Sequence, residues 1–476
     1  MPDSKSSDSI NLSSSSRFIP WIVAAAFFME NLDGTVIITA LPQIADSLGV
    51  NAVNMSMGVT AYLITLAVFI PVSGWMADRF GARTVFGSAI AIFTLASMLC
   101  GLSQTMDQFI AARILQGFGG AMMVPVGRLI VLRNASKSEL VKMIAIITWP
   151  GLMAPIIGQP LGGFITTFTN WRWIFFLNIP IGLLGILCVI KLISNQVPTQ
   201  KRPLDWIGFF VIGVGLASFM FGIESLSTVG ISQTSIGSCL IGFGLMSFAV
   251  WYAKRHPYPL LDFSAFKIPT YAITIYFGSL SRIMIGATPF LAPLMFQLAF
   301  GYTAFESGLL FLSAMLGNLA LKPITSTILK QFGFRNVMVG NACLAAIATI
   351  LSGFLTADTS IWIICLVMLF YGLTRSMQFT CIQALAFSDM PSEKMSSANT
   401  VFSTVAQLNM GIGVALGAIL IHFTVWWHGG DIANPSGNDF QWAFFIIGIL
   451  MLISLLGYLK LKPDAGHQVS GHVYKP

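Results

Sequence analysis

Charge is what this chain has least of. Only 9% of its 476 residues are Asp, Glu, Lys or Arg, and 55% are hydrophobic; an average soluble domain carries roughly 25% charged residues. A soluble fold of this length needs far more charge to cover its surface, which excludes a soluble enzyme, a nucleic-acid binder and a disordered scaffold. Cysteine is sparse and unpatterned. Cys100, Cys188, Cys239, Cys343, Cys365 and Cys381 are scattered through apolar stretches with no CxxC or CxxH spacing, so neither a zinc site nor a redox pair is supported. They read as small packing hydrophobes. The chain also lacks a metal-ligand pair, a GxSxG elbow and a GxxxxGK[ST] phosphate loop, which argues against an enzyme and against an ATP-driven pump. Residues 1–17 form a serine-rich stretch with no apolar run. It has no short apolar core followed by a cleavage site, so it reads as a disordered tail and not a signal peptide. The first apolar run must then direct insertion.

Apolar length is what the chain has in abundance. Crossing a bilayer as a helix takes about 20 apolar residues. Runs of that kind occupy 18–45, 55–77, 85–103, 107–131, 140–166, 172–193 and 204–225, then 233–254, 268–299, 303–326, 335–356, 360–388, 395–424 and 439–461. That is fourteen spans of an all-α polytopic membrane protein. Basic residues set orientation, because Lys and Arg accumulate in cytoplasmic loops. With the N-terminus in the cytoplasm, twenty of the 25 basic residues fall on that side or at its edge, among them Arg79, Arg83, Arg133, Lys137, Lys201, Arg202, Lys254, Arg255, Lys330 and Arg335. The opposite loops carry Asp46, Asp107, Asp358 and Asp431, with Arg172 as the basic exception. Both termini are expected in the cytoplasm. The net charge of +7 is then a topology signal, with no nucleic-acid partner implied.

An internal repeat organises the spans. Phe80-Gly81-Ala82-Arg83 follows the second span and Phe332-Gly333-Phe334-Arg335 follows the tenth. The matching positions imply two six-helix halves, 18–195 and 266–462, joined by a linker at 196–265 that contributes two extra spans. A tail at 463–476 is expected in the cytoplasm. Facing halves around a midplane site are the structural basis of alternating access.

Charges inside the spans are the informative residues, since each costs several kcal/mol unless paired or facing a cavity. Glu30 and Asp33 lie one turn apart on the first span. Two carboxylates so close in a low dielectric do not both ionise readily, so the pair can carry a proton, with Asp33 the first candidate. Either acid could instead hydrogen-bond a neighbouring helix. Arg113 in the fourth span needs an acid or carbonyl partner, which the first span supplies; a structural ion pair and a proton relay are both open. Arg282, Arg375 and Gln378 in the second half, with Gln116 in the first, are candidates for a substrate cavity. Gly74, Asp78, Arg79, Gly81 and Arg83 can form a cytoplasmic gate, the glycines allowing tight turning and the charges meeting helix ends. Pro155, Gly158, Pro160, Gly162 and Gly163 make the fifth span able to bend or to pack closely; sequence does not separate the two. In 171–182 the Trp residues suit an interfacial belt and Arg172 an outer anchor.

These segments resemble the major facilitator superfamily, in particular the fourteen-helix drug:proton antiporters of EmrB/QacA type and their MdtD/HsrA-like members. The resemblance covers roughly 18–462. Gly74 to Arg83 is similar to G-x-L-A-D-R-x-G-R-K, departing at Met76, Ala82 and Arg83. Arg113 to Ala121 is similar to R-x-x-Q-G-x-G-x-A, which the family associates with proton transfer. Leu32 to Pro42 is similar to L-D-x-T-I-V-N-V-A-L-P, with Ile38 in place of Asn. Gly158 to Gly163 resembles the exporter mark G-P-x-x-G-G, with Gln159 in place of its proline and Pro160 one position on. Trp171 to Gly182 follows W-R-W-I-F-x-x-N-x-P-x-G. The resemblance implies a proton-driven exporter of small hydrophobic or amphipathic compounds in the bacterial inner membrane. It implies no cofactor beyond the proton gradient and no metal; protons, substrate and bilayer are the partners, and a periplasmic adaptor is left open. Competing readings are a symporter or uniporter importing a metabolite, a dedicated siderophore or natural-product exporter, and a membrane sensor that no longer transports.

Overall fold

The computed structural model describes residues 18–134, 140–194, 203–228, 230, 232–257, 259–391 and 394–472. The expected tail at 1–17, Lys137, Lys201 and Arg202 lie outside them, as do residues 473–476.

Among the described residues every regular element is a helix. The first half contains α1 (Ile19–Leu48), α2 (Ser56–Phe80), α3 (Ala82–Leu102), α4 (Met106–Asn134), α5 (Leu140–Phe168), α6 (Trp173–Phe176) and α7 (Asn178–Leu192). Next come α8 (Trp206–Thr228) and α9 (Gln233–Ala253), packed on each other. The second half contains α10 (Pro269–Leu294), α11 (Ala304–Ala320), α12 (Lys322–Gly353), α13 (Ile361–Ser388), α14 (Met395–His428), α15 (Gly437–Met451) and α16 (Leu455–Tyr458). A last short helix, α17 (His467–Ser470), lies within the expected tail.

Twelve helical stretches among the described residues are long and apolar enough to cross a membrane. Large apolar side chains on them face outward, such as Leu184, Leu240 and Trp362, as lipid-facing surfaces require. The chain forms an integral membrane protein. Two further helices bear on the expected spans. The 29-residue α5 carries three internal prolines, and the 17-residue α11 is short for a crossing. The boundary between the expected spans 303–326 and 335–356 falls inside α12, where Gly333 takes φ +74° and breaks the helix into two pieces. Its first piece follows α11 after Leu321, and its second runs to Gly353.

The repeated FGxR loop is one device used twice. Gly81 has φ +88° and Gly333 φ +74°, a region that side-chain-bearing L residues rarely enter. Each reversal delivers an arginine to the far end of its own half. Arg83 Nη2 donates to Ile190 O in the last turn of α7. Arg335 Nη2 donates to Leu459 O, just past α16, at 3.3 Å. Cations at helix C-termini meet the unsatisfied carbonyls there.

The halves close on each other at the Leu48 end. Gln43 Nε2 donates to Gln297 Oε1 (3.2 Å) and Gln297 Nε2 to Thr39 O (3.1 Å). Phe305 N donates to Thr167 Oγ1 (3.1 Å), and His422 Nε2 lies 3.1 Å from Asn54 Oδ1. The Phe305 ring packs on Phe164 and Phe168 with centroids 5.9 and 5.8 Å away. Backbone-close approach makes this seam possible. A Cβ at Gly163 would lie 2.7 Å from the Ala304 carbonyl carbon, and one at Gly308 would lie 2.6 Å from Gln159 O. On the Ile19 side of these contacts the halves enclose a cavity of about 380 Å³. Helix α8 touches both halves: Ser56 Oγ of α2 donates to Glu224 at 2.6 Å, and Ile212 and Leu216 pack in one cluster with Val401 of α14.

Candidate functional site

The first half is built around a buried ion pair. Asp33 is 2% exposed and Arg113 0%, and Arg113 Nη1 lies 2.6 Å from Asp33 Oδ2. The carboxylate's other oxygen accepts from Gln116 Nε2 (2.8 Å) and Asn178 Nδ2 (2.9 Å). Both of those amides also reach Ser97 Oγ, at 2.8 and 3.1 Å. The guanidinium donates to Gln116 Oε1 and Gly58 O and sits 4.2 Å from the Tyr62 ring centroid. Helices α1, α2, α3, α4 and α7 therefore converge on one polar knot. Charges this deep are tolerated when they are paired and hydrogen-bonded or when they face a cavity, and this pair uses the first way.

The glycines beside Arg113 explain how α4 gets close enough. A Cβ at Gly117 would sit 2.7 Å from Tyr62 O on α2, and one at Gly119 would sit 2.8 Å from Phe93 N on α3. At Gly120 it would meet the Tyr62 hydroxyl at 3.1 Å and Glu30 Cγ at 3.7 Å. Gly117 and Gly120 thus face α2 and Gly119 faces α3, and small residues let helix backbones approach.

Glu30 is separated from Asp33 by one turn and faces elsewhere. It lines the cavity, as do Asn31, Tyr62 and Arg113, while Asp33 does not. Its contacts are long: Asn31 Nδ2 donates to it at 3.3 Å and the Tyr62 hydroxyl at 3.5 Å. Among the described residues no cation pairs with it. Tyr62 consequently touches Glu30 with its hydroxyl and Arg113 with its ring, so the sequence Glu30, Tyr62, Arg113, Asp33 leads from the cavity into the knot.

The opposite wall belongs to the second half. Arg282, Arg375, Phe379, Gln383, Gln407 and Met410 line it. Of the four residues expected in a substrate cavity, Arg282 and Arg375 are there. Gln116 is not, because Asp33 and Ser97 occupy its amide. Gln378 is not either: Asn341 Nδ2 donates to it (2.8 Å) and it donates to the Tyr458 hydroxyl (3.0 Å), which also meets Ser281 (2.7 Å). Although only three positions separate Gln378 from Arg375, it is held in the core of the second half.

The fifth-span motif splits between cavity and seam. Pro155 and Gln159 line the cavity. Gly158 and Gly162 pack on Thr35, Val36 and Thr39 of α1, and Gly163 on α11; Pro160 meets Gly308, whose Cβ would lie 3.1 Å from its Cα. Close packing is the observed use of these residues, within a helix that runs unbroken from Leu140 to Phe168. Of the expected gate residues, Gly74 and Arg79 are exposed, Asp78 is half-buried and Gly81 makes the positive-φ turn. Arg83 bonds within its own half. Arg172 donates to Gly101 O (2.8 Å) and Ser103 O (2.7 Å), capping α3.

Sequence reasoning missed Tyr62, Ser97 and Asn178. Asn178 had a signal, as the Asn of the 171–182 pattern, but its partners become visible only when α7 packs on α1 and α3. Tyr62 and Ser97 had none, being polar residues in unremarkable apolar runs.

Two helical halves sealed at one end over a polar, charge-lined cavity define a membrane transporter of the alternating-access type. The chain belongs to the Major Facilitator Superfamily, whose family model matches residues 23–413 and again 280–473. It is 36% identical over 445 residues to MdtD of Serratia proteamaculans, covering 93% of each chain. It is 33% identical over 452 residues to MdtD of Cronobacter sakazakii, covering 94% of this chain and 95% of that one. Both carry the name of a multidrug resistance protein. Among solved structures, the POT family transporter PepTSo superposes with a TM-score of 0.71 at 13% identity, covering 96% of this chain and 99% of that one. A D-xylose-proton symporter gives 0.67 at 16% identity, covering 94% and 98%. At such identities the likeness is one of fold.

Proposed function

We propose that the protein is a proton-coupled exporter of small amphipathic compounds, working by alternating access across the bacterial inner membrane. The chain crosses fourteen times in this reading, with α5 and the continuous path from α11 into the first piece of α12 as the two additional crossings, and both termini lie in the cytoplasm. The closed Leu48 end is then the outer side. The observation that carries the proposal is the route Glu30, Tyr62, Arg113, Asp33 beside a cavity shared by both halves. Glu30 is the carboxylate that exchanges protons with the cavity. Asp33 and Arg113 are its internal partners, whose pairing reports the charge state of Glu30 to α4. Transport involves no bond making, so no catalytic residue is proposed, and the proton gradient supplies the energy.

Direction is supported by the names of the relatives and by the resemblance of Gly158 to Gly163 to the exporter mark, from which Gln159 departs. An importing symporter would need the same halves, and proton flux separates the two. In everted vesicles energised by respiration, norfloxacin added to an exporter releases protons from the acid interior, read as recovery of quinacrine fluorescence. Recovery is expected with the native chain and lost with Glu30→Gln at matched protein level. Equal recovery in the Glu30→Gln vesicles overturns Glu30 as the coupling group.

A further inference from the structure

We propose that the second-half wall of the cavity is an anion site, in which Arg282 and Arg375 together hold the carboxylate, sulfonate or phosphate of an amphipathic substrate. The proposal rests on the cavity being the transport site and adds the charge class of what enters it.

The two halves treat buried arginine differently. Arg113 has an acid at 2.6 Å and the Gln116 Oε1 and Gly58 O acceptors around it, which leaves Nη2 as its one buried nitrogen without an acceptor. Arg282 and Arg375 line the cavity with no ion pair and no hydrogen bond among the described residues. Arg282 Nε and Arg375 Nε and Nη1 are buried N–H donors without an acceptor. Arginine stays protonated in proteins, so neither group can shed its charge to relieve the burial. What surrounds them is aromatic. Arg282 lies 4.5 Å from the Phe402 centroid and 5.4 Å from that of Phe379, and Arg375 lies 5.5 Å from Phe379. Ring faces attract the cations but accept none of the N–H groups in line.

The charge balance of the lining points the same way. Its acidic and basic residues are Glu30, Arg113, Arg282 and Arg375, beside the phenol of Tyr62. Asp33 neutralises Arg113, which leaves two positive charges against one carboxylate on the facing half. Planar guanidinium forks match carboxylate and phosphate oxygens, and two of them around one ring can hold one anionic head. Most of the remaining surface is apolar, with Ile38, Leu63, Phe290, Met315, Met410 and Val414 on its walls beside uncharged polar groups such as Gln159, Gln383 and Gln407. A volume of about 380 Å³ suits an organic anion with a ring-sized body.

Three compounds sharing one aromatic body test this on the purified full-length protein: 2-naphthoate, 2-naphthalenemethanol and 2-naphthylmethylammonium. By titration calorimetry, 2-naphthoate is expected to bind about tenfold or more tightly than the alcohol, and the ammonium more weakly than either. Arg282→Gln and Arg375→Gln should each weaken 2-naphthoate about tenfold and leave thermal unfolding within a few degrees of the native chain. Arg375→Lys should retain part of the affinity, because charge survives and the fork does not. Equal binding of naphthoate and alcohol to the native protein overturns the anion site, as does naphthoate affinity untouched by both Gln variants. Norfloxacin-driven proton release alongside either result would leave the exporter reading standing without the anion site.

Discussion

Asp33 and Glu30 are one turn apart, and their different surroundings give very unequal consequences on removal. Asp33→Asn leaves Arg113 charged, fully buried and without its acid. Breaking a buried pair by removing one partner costs about 3–5 kcal/mol. The geometry favours the upper part of that range. An Asn oxygen kept at the Oδ1 position preserves the bonds from Gln116 and Asn178, but its NH2 then faces Arg113 Nη1, donor against donor. Turning the amide over relieves that clash and breaks both other bonds. Arg113→Gln strands the acid instead, for about 3 kcal/mol by the same reasoning. The double variant contains no net charge in the knot, so its cost should fall about 2–3 kcal/mol short of the sum. Glu30→Gln faces the cavity and loses only long contacts, so it should cost less than about 1 kcal/mol. Unfolding in mixed micelles with increasing SDS, followed by tryptophan fluorescence, measures all four. A loss below about 1 kcal/mol for Asp33→Asn, or single costs that simply add, would refute the pairing as the organising contact of the first half.

Gly163→Leu should force the seam between the halves apart, since even a Cβ there meets Ala304; with the proposed orientation, an Asn54→Cys probe should then react several-fold faster with an impermeant maleimide, and an unchanged rate would show that the seam does not depend on this contact. Gly333→Ala places a side chain at φ +74° and should cost about 1–2 kcal/mol; a midpoint equal to the native one in the same micelle titration contradicts the need for glycine. Orientation is checked by cysteine at the exposed Asp358 between α12 and α13, which an impermeant reagent added outside intact cells should label, while cysteine at Lys462 should stay unlabelled. The reverse pattern inverts the topology.

Much of the architecture was legible because lipid imposes a simple code. Apolar runs of sufficient length gave the helices, and basic loops gave an orientation to test. The FGxR repeat was readable as a repeat, and its two glycines do adopt the same reversal. What it does, handing an arginine to the C-terminal end of the sixth helix in each half, depends on α7 packing on α3 and α16 on α12 and could not be read along the chain. The ionic residues of the first half were legible as a group, since charges in apolar runs require partners. Their division of labour was not. Positions 30 and 33 differ by about 60° around the helix, enough to send one acid into a cavity and the other into a packed knot. Gln378 shows the same limit from the other side: it lies near Arg375 in sequence, and Asn341 and Tyr458 claim it.

Two unpaired arginines on one wall also have an electrical meaning. A neutral pair such as Asp33 with Arg113 feels no net force from a transmembrane voltage, whereas fixed charges that change their position in the field do work of about 2.3 kcal/mol per elementary charge per 100 mV. In the alternating-access cycle proposed above, Arg282 and Arg375 would act as a gating charge if the second half moves them through that field. A bound anion would cancel part of it. The loaded and empty cavities would then respond differently to voltage, and a cell's resting potential would act on the return stroke of the transporter as well as on its cargo.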